Sequence, residues 1–391
     1  MSTTSRKVGY VTIGSASDVR AWSGLNAHIL QALRDAGLEV AVADNLGAPR
    51  RFLSRLKGRI YRSFSNKTYS LDRDRAIALQ WAQEAARRLS TQGDVPLVVS
   101  TGTIPIAQLP ERYSTAIWAD ATFHSLRTTY PGYDKLCHDS VTSGEWLEKR
   151  AFDRSNLICF SSQWAATDAA NYYGVPAHKL AVIPYGANCP PAYPDETAAI
   201  AGVRSRSRSL CRLVFVGVEW ERKGGPLVLE TARRLHDQGI PIRLSLMGCN
   251  PPPGTALPDY VENAGFLNKQ VPADWEKWDT LMRSAHFLIL PSIADCTPVA
   301  LAEASAYALP SLARNVGGVS SVVRHGTNGL LFTPDADAGA YSDAIARLWQ
   351  DPAAYEELAL SSHREWTAHL RWDVAGKRFA ERLTASMLCN A

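Results

Sequence analysis

Short apolar runs of β type alternate with helical patterns along almost the whole chain, and this alternation limits the fold more than any other feature. Runs such as "PLVVS" and "HFLILPS" are continuous in apolar residues and do not alternate with polar ones. Strands of that composition suit a parallel sheet that is covered by helices on both faces. The sequence therefore predicts an α/β fold with doubly wound, Rossmann-like layers.

The strand-and-helix series occurs twice, which predicts two domains. A chain of 391 residues is also longer than one core usually organises. Residues 189–209 are rich in Pro, Ala, Ser and Arg without a clear period, and they are predicted to be a linker. We assign residues 1–188 to a first domain and 210–371 to a second, while a last helix over 372–391 could return to the first. Ligands of such sheets bind beyond the carboxyl ends of the strands, so two domains facing each other would enclose a cleft.

The composition narrows the class of protein. It is typical of a globular protein, with 46% hydrophobic and 20% charged residues, and no apolar run reaches the roughly eighteen residues of a membrane span. Seven cysteines are scattered singly, which gives no zinc site, and the N-terminus shows no secretory signal. A net charge of +4 does not predict a nucleic-acid partner. We expect a cytoplasmic protein with reduced thiols.

The segment "DCTPVALAE" sets Asp295 and Glu303 at the two ends of an apolar helix start. Thr297 suits an N-cap and Pro298 the first helical position, so a helix is predicted from Pro298. Both carboxylates can then face one ligand and accept hydrogen bonds from sugar hydroxyls. The alternative is a turn residue and an acid that complements the helix dipole. The helix amides that would bind an anion belong to Val299, Ala300 and Leu301.

The segment "VFVGVEWERKGGPLV" places two adjacent cations after a strand. Gly217 ends the strand, and Arg222 and Lys223 follow in a loop that opens the next helix. Such a pair can neutralise a diphosphate, which together with the two carboxylates favours a nucleotide-sugar ligand. The alternative is a solvated charge pair on a surface loop.

These segments resemble the C-terminal half of the retaining glycosyltransferases of the GT-B fold, family 4 (glycosyl transferases group 1). That family carries an acid, seven residues and a Glu, which here are Asp295 and Glu303. It also carries a Lys-Gly pair at Lys223, a Gly-Gly pair at 317–318 and an "xGxNGLL" turn around Asn328. The resemblance is strong over residues 212–335 and extends in outline to the N-terminal half.

The resemblance implies roles for the residues of the donor site. Glu303 would bind the donor ribose and Asp295 a hexose hydroxyl, while Arg222 and Lys223 would hold the diphosphate leaving group. The nucleobase would be contacted around 266–267. These two positions are Phe266 and Leu267.

Three positions depart from the family pattern. Asp295 replaces the usual Glu and is one methylene shorter, and Val218 stands where an Arg is frequent, so that role is assigned to Arg222. Pro298 replaces a common Gly and removes one amide, which leaves the phosphate contact to Val299 and its successors.

The N-terminal half is expected to bind the acceptor. By the resemblance, the loop after the first strand lies near the reacting sugar, and its candidates are Ser23, Gly24 and Leu25. His124, after the run "TAIWAD", would contact the donor sugar near the reacting carbon. A plain helix start for the loop and a structural role for His124 remain the alternatives.

A basic segment lies between residues 45 and 71, where no acid occurs. Leu53, Leu56, Ile60 and Phe64 are spaced as one face of a helix, which suggests a helix that rests on an anionic membrane or binds an anionic acceptor. For the apolar face we favour packing on its own domain, while the lack of acids leaves membrane contact open. The seven bases are Arg50, Arg51, Arg55, Lys57, Arg59, Arg62 and Lys67.

Together with the residues of the donor site, the resemblance implies an enzyme that transfers a hexose with retention from a nucleotide sugar, with a UDP-sugar favoured and GDP-mannose next, to a hydroxyl acceptor. The acceptor would be a glycan, a lipid-linked cell-envelope intermediate or a small molecule, reached in the cytoplasm or at the inner membrane face. No metal or cofactor is expected, and Asp72 and Asp74 are typical of a helix start. The rivals are a nucleotide-sugar epimerase and a non-catalytic nucleotide-sugar-binding subunit.

Overall fold

Parallel strands build both halves of the chain, as the apolar runs predict. The structure, a computed structural model, describes residues 7–48 and 52–388. The chain divides into two compact units, one of which runs to Pro184 and resumes at Trp372, while the other runs from Tyr185 to Arg371. The strands are β1 Lys7–Val11, β2 Glu39–Ala43, β3 Leu97–Ser100, β4 Ser114–Ala119, β5 Ser155–Phe160, β6 Leu180–Val182, β7 Cys211–Val216, β8 Ile242–Met247, β9 Val261–Gly265, β10 Phe287–Leu290, β11 Ser311–Arg314 and β12 Gly329–Phe332.

Helices follow most of the strands and cover the sheets. They are α1 Leu25–Asp35, α2 Phe52–Ser65, α3 Arg75–Ser90, α4 Phe123–Thr129, α5 His138–Arg154, α6 Gln163–Asn171, α7 Glu196–Arg204, α8 Gly225–Asp237, α9 Pro272–Ser284, α10 Val299–Ala306, α11 Ala338–Gln350, α12 Pro352–His369 and α13 Trp372–Leu388. Among the described residues, no helix is both long enough and apolar enough to span a bilayer.

Within the described residues, each unit has one six-stranded sheet, and the strand pairs in both sheets are parallel. The first sheet has the order β2-β1-β3-β4-β5-β6 and the second β12-β11-β10-β7-β8-β9. In both sheets the strand order reverses direction once, between β1 and β3 and between β10 and β7. The carboxyl ends of the strands at such a reversal point form the usual ligand crevice of this architecture. The fold class predicted from the sequence is therefore confirmed.

The segment predicted to be a linker differs in the structure. Residues 196–204 form helix α7 within the second unit, capped by Asp195, whose side chain accepts the Ala198 amide at 2.8 Å. Ala199 and Val203 are four residues apart on one helix face, and both are buried in the core of that unit. This short helical period is obscured by the Pro, Ser and Arg around it.

The last helix belongs to the first unit, which is the return that the sequence left as an option. Gly376 lies so close to α1 that a Cβ there would come within 2.5 Å of the Ala32 carbonyl oxygen. Aromatic rings add to the contact, since Trp372 stacks on His28 of α1 and Phe379 stacks on Trp118 of β4.

Candidate functional site

Glycines end three neighbouring strands of the second sheet. Gly217 follows β7, Gly248 follows β8 and Gly265 closes β9. The Gly217 amide donates to Met247 O and the Gly248 amide to Gly265 O, both at 2.9 Å. A Cβ on Gly248, whose φ is 104°, would lie 2.5 Å from the Gly217 carbonyl oxygen. Backbone without side chains therefore forms this end of the sheet, and a ligand can approach it closely.

Lys223 lies on the loop after β7, beside the reversal point of the sheet. Its stem packs on Gly217, where a Cβ would come within 2.8 Å of Lys223 Cγ. Gly224 follows with φ of 84°, and a Cβ there would lie 2.5 Å from the carbonyl oxygen of Pro291 after β10. The Lys-Gly pair therefore lets the loops after β7 and β10 touch, with the lysine between them.

Asp295 lies on the loop after β10 and is 6% exposed. Its Oδ2 accepts hydrogen bonds from Lys223 Nζ at 2.5 Å and from Ser292 Oγ at 2.9 Å. The backbone of Asp295 is fixed as well, because its carbonyl oxygen accepts the Gly318 amide at 3.1 Å. At Gly317, whose φ is 52°, a Cβ would lie 2.0 Å from that oxygen. Gly317 and Gly318 therefore pack against the backbone of Asp295.

Arg222 links the loop after β7 to the loop after β10. Its guanidinium donates to the Ala294 carbonyl oxygen at 2.8 Å and to Glu219 at 2.5 Å, and NH1 lies 3.8 Å from Asp295 Oδ2. The backbone repeats the link, since the Ile293 amide donates to Arg222 O at 2.8 Å. The structure therefore places Arg222 as a brace of the loop that carries Lys223, with its charge close to Asp295.

The helix after Asp295 begins one residue later than the sequence suggests. Its first residue is Val299 and its N-cap is Pro298, so Thr297 is not the cap. The Leu301 amide donates to the Pro298 carbonyl oxygen at 3.1 Å, and the Leu301 side chain is buried in the core. The early amides that remain candidates for an anion are those of Val299 and Ala300, whose side chains are half-buried.

Glu303 is 4% exposed and forms an ion pair with Lys269. Lys269 lies on the loop after β9, and its Nζ is also 4.2 Å from the centre of the Trp278 ring. The sequence analysis missed Lys269, although the residue follows the predicted base-binding positions by only two. The ion pair ties that loop to α10. On the same loop Phe266 is 64% exposed and Leu267 is half-buried.

The "xGxNGLL" turn has a structural role, which Asn328 performs. Asn328 is fully buried, accepts the Arg324 amide at 2.6 Å and donates to the Val322 carbonyl oxygen at 2.8 Å. Its amide nitrogen also reaches Ser305 Oγ on α10 at 3.3 Å. The turn therefore holds the helix that carries Glu303.

In the first unit, the loop before α1 has an unusual backbone. Trp22, Ser23 and Gly24 have φ of 48°, 56° and 79°, so that three consecutive residues are left-handed. Two of them carry side chains, and such residues cost of order 1–2 kcal/mol each. Trp22 Nε1 donates to Asp120 Oδ2 at 3.0 Å, which ties the loop to the carboxyl end of β4. Ser23 is exposed, whereas Leu25 begins α1 with a buried side chain.

His124 lies at the start of α4, a few residues beyond the same end of β4. Its Nδ1 is 2.7 Å from Asp168 Oδ1, and its ring stacks on Tyr172 with 3.6 Å between centres. The Tyr173 hydroxyl accepts the His124 amide at 3.1 Å, and Thr122 donates to Asp168. Ser23 and Gly24 therefore lie on a loop that Trp22 ties to the carboxyl end of β4, and His124 follows the same end of β4. Asp168 is a partner of His124 that the sequence analysis missed.

A buried acid supports the segment that carries His124. Glu148 on α5 is 2% exposed and accepts the Phe123 amide at 3.0 Å and the Thr103 hydroxyl at 2.5 Å. Burial raises the pKa of Glu148, and the Arg73 charge at 3.6 Å opposes that rise. The first turn of α4 is thereby held to α5 and to the loop after β3.

Two known families match the chain, one in each of the two units. The family described as Glycosyltransferase Family 4 matches residues 25–189, and the family described as Glycosyl transferases group 1 matches residues 211–351. The chain belongs to the group 1 glycosyltransferases of family 4. The residues of both candidate sites lie within or immediately before these two ranges.

Sequence relatives of this family 4 chain are distant. The D-inositol 3-phosphate glycosyltransferase of Nocardia farcinica is 26% identical over 230 residues, which are 56% of this chain and 50% of the relative. The D-inositol 3-phosphate glycosyltransferase of Corynebacterium glutamicum is 26% identical over 255 residues, which are 60% of each chain. The chain spans about half the length of the first of these relatives.

Solved structures support the GT-B fold of this family 4 chain. Sucrose-phosphate synthase from Thermosynechococcus elongatus has a TM-score of 0.69 at 18% identity, with 98% of this chain and 100% of that chain covered. Anabaena HepE in complex with UDP-glucose has a TM-score of 0.62 at 15% identity, with 97% and 99% covered. At such identities the similarity concerns the fold alone.

Proposed function

We propose that this family 4 chain is a retaining glycosyltransferase that moves a hexose from a nucleotide sugar to a hydroxyl acceptor. The observation that carries the proposal is the pairing of two buried acids with two lysines, Asp295 with Lys223 and Glu303 with Lys269. Three of the four lie on loops at the carboxyl ends of the second sheet, and Glu303 lies on α10, which follows one of these loops. Lysines suit a diphosphate and carboxylates suit sugar hydroxyls. Both chemistries therefore lie where an α/β sheet binds its ligand.

Each residue is proposed for one part of the donor. Lys223 and the Val299 and Ala300 amides would hold the diphosphate, with Arg222 keeping the lysine loop in place. Asp295 would accept a hydrogen bond from a hexose hydroxyl. Glu303 would accept those of the ribose, and Lys269 would keep its carboxylate oriented.

Further contacts are proposed around this centre. Gly217 would allow close approach of the diphosphate to the backbone, and Phe266 would stack on the nucleobase beside Leu267. In the first unit, Ser23, Gly24 and His124 would approach the acceptor and the reacting sugar.

The proposed step is a same-face displacement. The acceptor oxygen forms a bond to the anomeric carbon while the bond from that carbon to the diphosphate oxygen breaks. The acceptor proton passes to the departing phosphate oxygen, so no covalent sugar–enzyme bond is needed. Lys223 and the helix amides stabilise the negative charge that develops on the leaving group. In this proposal these groups stabilise the leaving group without a metal ion.

A UDP-sugar is the favoured donor, with GDP-mannose next. Support comes from the similar fold of HepE, whose structures contain UDP and UDP-glucose. The proposed acceptor is a glycan, a lipid-linked cell-envelope intermediate or a small molecule. D-inositol 3-phosphate, which the names of the relatives contain, belongs in the test set. We propose a cytoplasmic protein that meets lipid-linked acceptors at the inner membrane face.

The test is release of nucleoside diphosphate from UDP-glucose, UDP-N-acetylglucosamine and GDP-mannose. Each donor is incubated with and without D-inositol 3-phosphate, short glycans and a polyprenyl-linked sugar. We expect release that depends on an acceptor. A Glu303→Gln change should lower kcat/KM roughly tenfold to a hundredfold, because a hydrogen bond to a charged group is lost. Glu262→Gln, at a half-buried acid of β9 that pairs with Lys277, serves as the control and should leave kcat/KM unchanged.

Two outcomes would favour the rivals instead. Conversion of one nucleotide sugar into its epimer with no acceptor present would make the chain an epimerase. Tight donor binding without turnover for any acceptor would make it a nucleotide-sugar-binding subunit.

A further inference from the structure

Helix α2 turns an apolar stripe away from the protein. Phe52, Leu56 and Ile60 follow at intervals of four residues and are 75%, 43% and 49% exposed. Residues at that spacing share one side of a helix. The sequence analysis favoured packing of this stripe on its own domain, and for Leu56 and Ile60 that expectation is wrong. The side chains of Leu53 and Phe64, and residues Arg50 and Arg51, lie outside the described part of the chain.

The helix packs through its opposite side, which is polar. Ser54 is 6% exposed and donates to Asp74 Oδ2 at 2.6 Å, while Tyr61 stacks on Tyr69 with 5.9 Å between ring centres. At about 100° per residue, Ser54 and Tyr61 lie more than 100° around the helix from the middle of the stripe. Asp74 is itself the N-cap of α3, because it accepts the Ala76 and Ile77 amides. Because α2 contacts its unit through this polar side, its apolar side is exposed.

The charged side chains of α2 itself all have one sign. Arg55, Arg59 and Arg62 are exposed on one flank, and no acid occurs between residues 45 and 71. On the other flank Lys57 lies 3.7 Å from Asp139. An apolar stripe beside a row of arginines is the pattern of a helix that lies in the interface of an anionic bilayer.

We infer that the outer face of α2, formed by Phe52, Leu56 and Ile60 with the three arginines, docks on an anionic lipid bilayer. The apolar side chains would enter the boundary between headgroups and acyl chains, while the arginines contact lipid phosphates. A second copy of the chain fits less well, because a two-fold contact would bring arginines against arginines. The inference takes from the proposed function only the expectation of a lipid-linked acceptor.

The experiment is sedimentation of the full-length protein with vesicles, without donor or acceptor. One set of vesicles is phosphatidylcholine, and the other is phosphatidylcholine mixed with phosphatidylglycerol. Wild type should bind the mixed vesicles, with binding that weakens as salt is added. The triple change Phe52→Ser, Leu56→Ser and Ile60→Ser should lower the partition coefficient at least tenfold. The triple change Arg55→Gln, Arg59→Gln and Arg62→Gln should lower it by roughly fivefold per charge.

Matched controls come from the same unit. Leu79 on α3 is 40% exposed, so Leu79→Ser removes a comparable side chain elsewhere. The set Arg34→Gln, Arg87→Gln and Lys377→Gln removes the same charge from three exposed positions on other helices. These variants should bind vesicles as wild type does.

Three results would overturn the inference. They are wild-type binding that is equal on neutral and anionic vesicles, equal loss in the matched charge control, and a stripe variant that binds like wild type. Dimerisation that the stripe variant abolishes, without any vesicle binding, would assign the face to a second copy. Transfer to a water-soluble acceptor is measured separately, so the failure of either proposal is seen by itself.

Discussion

His124 and Asp168 form an oriented polar pair in the first unit. A carboxylate 2.7 Å from Nδ1 holds the imidazole tautomer whose proton is on Nδ1, and Tyr172 fixes the ring plane by stacking. Asp168 lies 44 positions further along the chain, in the helical run "AATDAAN", and it carries no local signal. A sequence can therefore suggest the histidine and still miss the group that orients it.

Asp168 acts through His124 in the proposed reaction, as a positioning residue. An Asp168→Asn change should lower kcat about tenfold and leave the donor KM nearly unchanged, because the amide permits the wrong tautomer. Steady-state kinetics with both substrates measure the split. Asp153→Asn, at an exposed pair with Lys149, is the control. Partial recovery in Asp168→Glu is also expected, and an equal loss in Asn and Glu variants with lower thermal stability would reduce Asp168 to a structural residue.

In the second unit the sequence analysis likewise found Glu303 and missed its partner, Lys269. Its contact with Glu303 joins positions 34 apart, and only the loop after β9 brings them together. The run "VENAG" of that strand is short and contains two adjacent polar residues, Glu262 and Asn263, so it lacks the apolar pattern of a buried strand. The acids and Lys223 were found through their motif, whereas the partner that depends on an unpredicted strand was not.

At the scale of elements, most strands and helices follow from the apolar pattern, and the failures share a cause. Helix α7 was missed because its residues were assigned to a linker, and its apolar period is short and surrounded by polar and small residues. The start of α10 differs because Leu301 bonds Pro298 directly, which makes Pro298 the cap. Such termini depend on local hydrogen bonds that composition does not determine.

Strand β10 begins beside a buried histidine that gives the second unit a pH dependence. His286 is fully buried and its Nδ1 accepts the Arg212 amide at 3.1 Å. Burial, with the charges of Arg206, Arg208 and Arg212, lowers the pKa of His286 to about 3. Below about pH 6.5 the unfolded chain binds a proton that the folded chain does not, so the stability falls as the pH is lowered towards 3.

We therefore expect the free energy of unfolding to fall by up to roughly 1.4 kcal/mol per pH unit below about pH 6 from this group alone. Urea unfolding at about pH 7 and about pH 5 measures the change, and His286→Gln should flatten it. His236→Gln, at an exposed histidine, is the control and should keep the wild-type slope. Equal slopes in all three proteins would contradict a neutral, buried His286.

At the scale of the whole molecule, two sheets of the same design carry different side chains at their carboxyl ends. The first presents a left-handed loop and an oriented histidine, and the second presents glycines, two lysines and two acids. The fold and family follow from repeated patterns and are confirmed. The pairings at each edge needed the structure, because they join loops that are far apart in the sequence.

The most direct measurement is calorimetric titration with UDP, GDP and ADP and their common hexose conjugates, on wild type, Lys223→Ala and the exposed control Lys277→Ala. The account predicts that one nucleotide family binds wild type and the control alike. Lys223→Ala should bind it roughly tenfold to a hundredfold more weakly, because a charge-assisted contact to phosphate is lost. Absence of nucleotide binding by wild type, or equal affinity in Lys223→Ala, would contradict the donor site at the ends of β7 and β10.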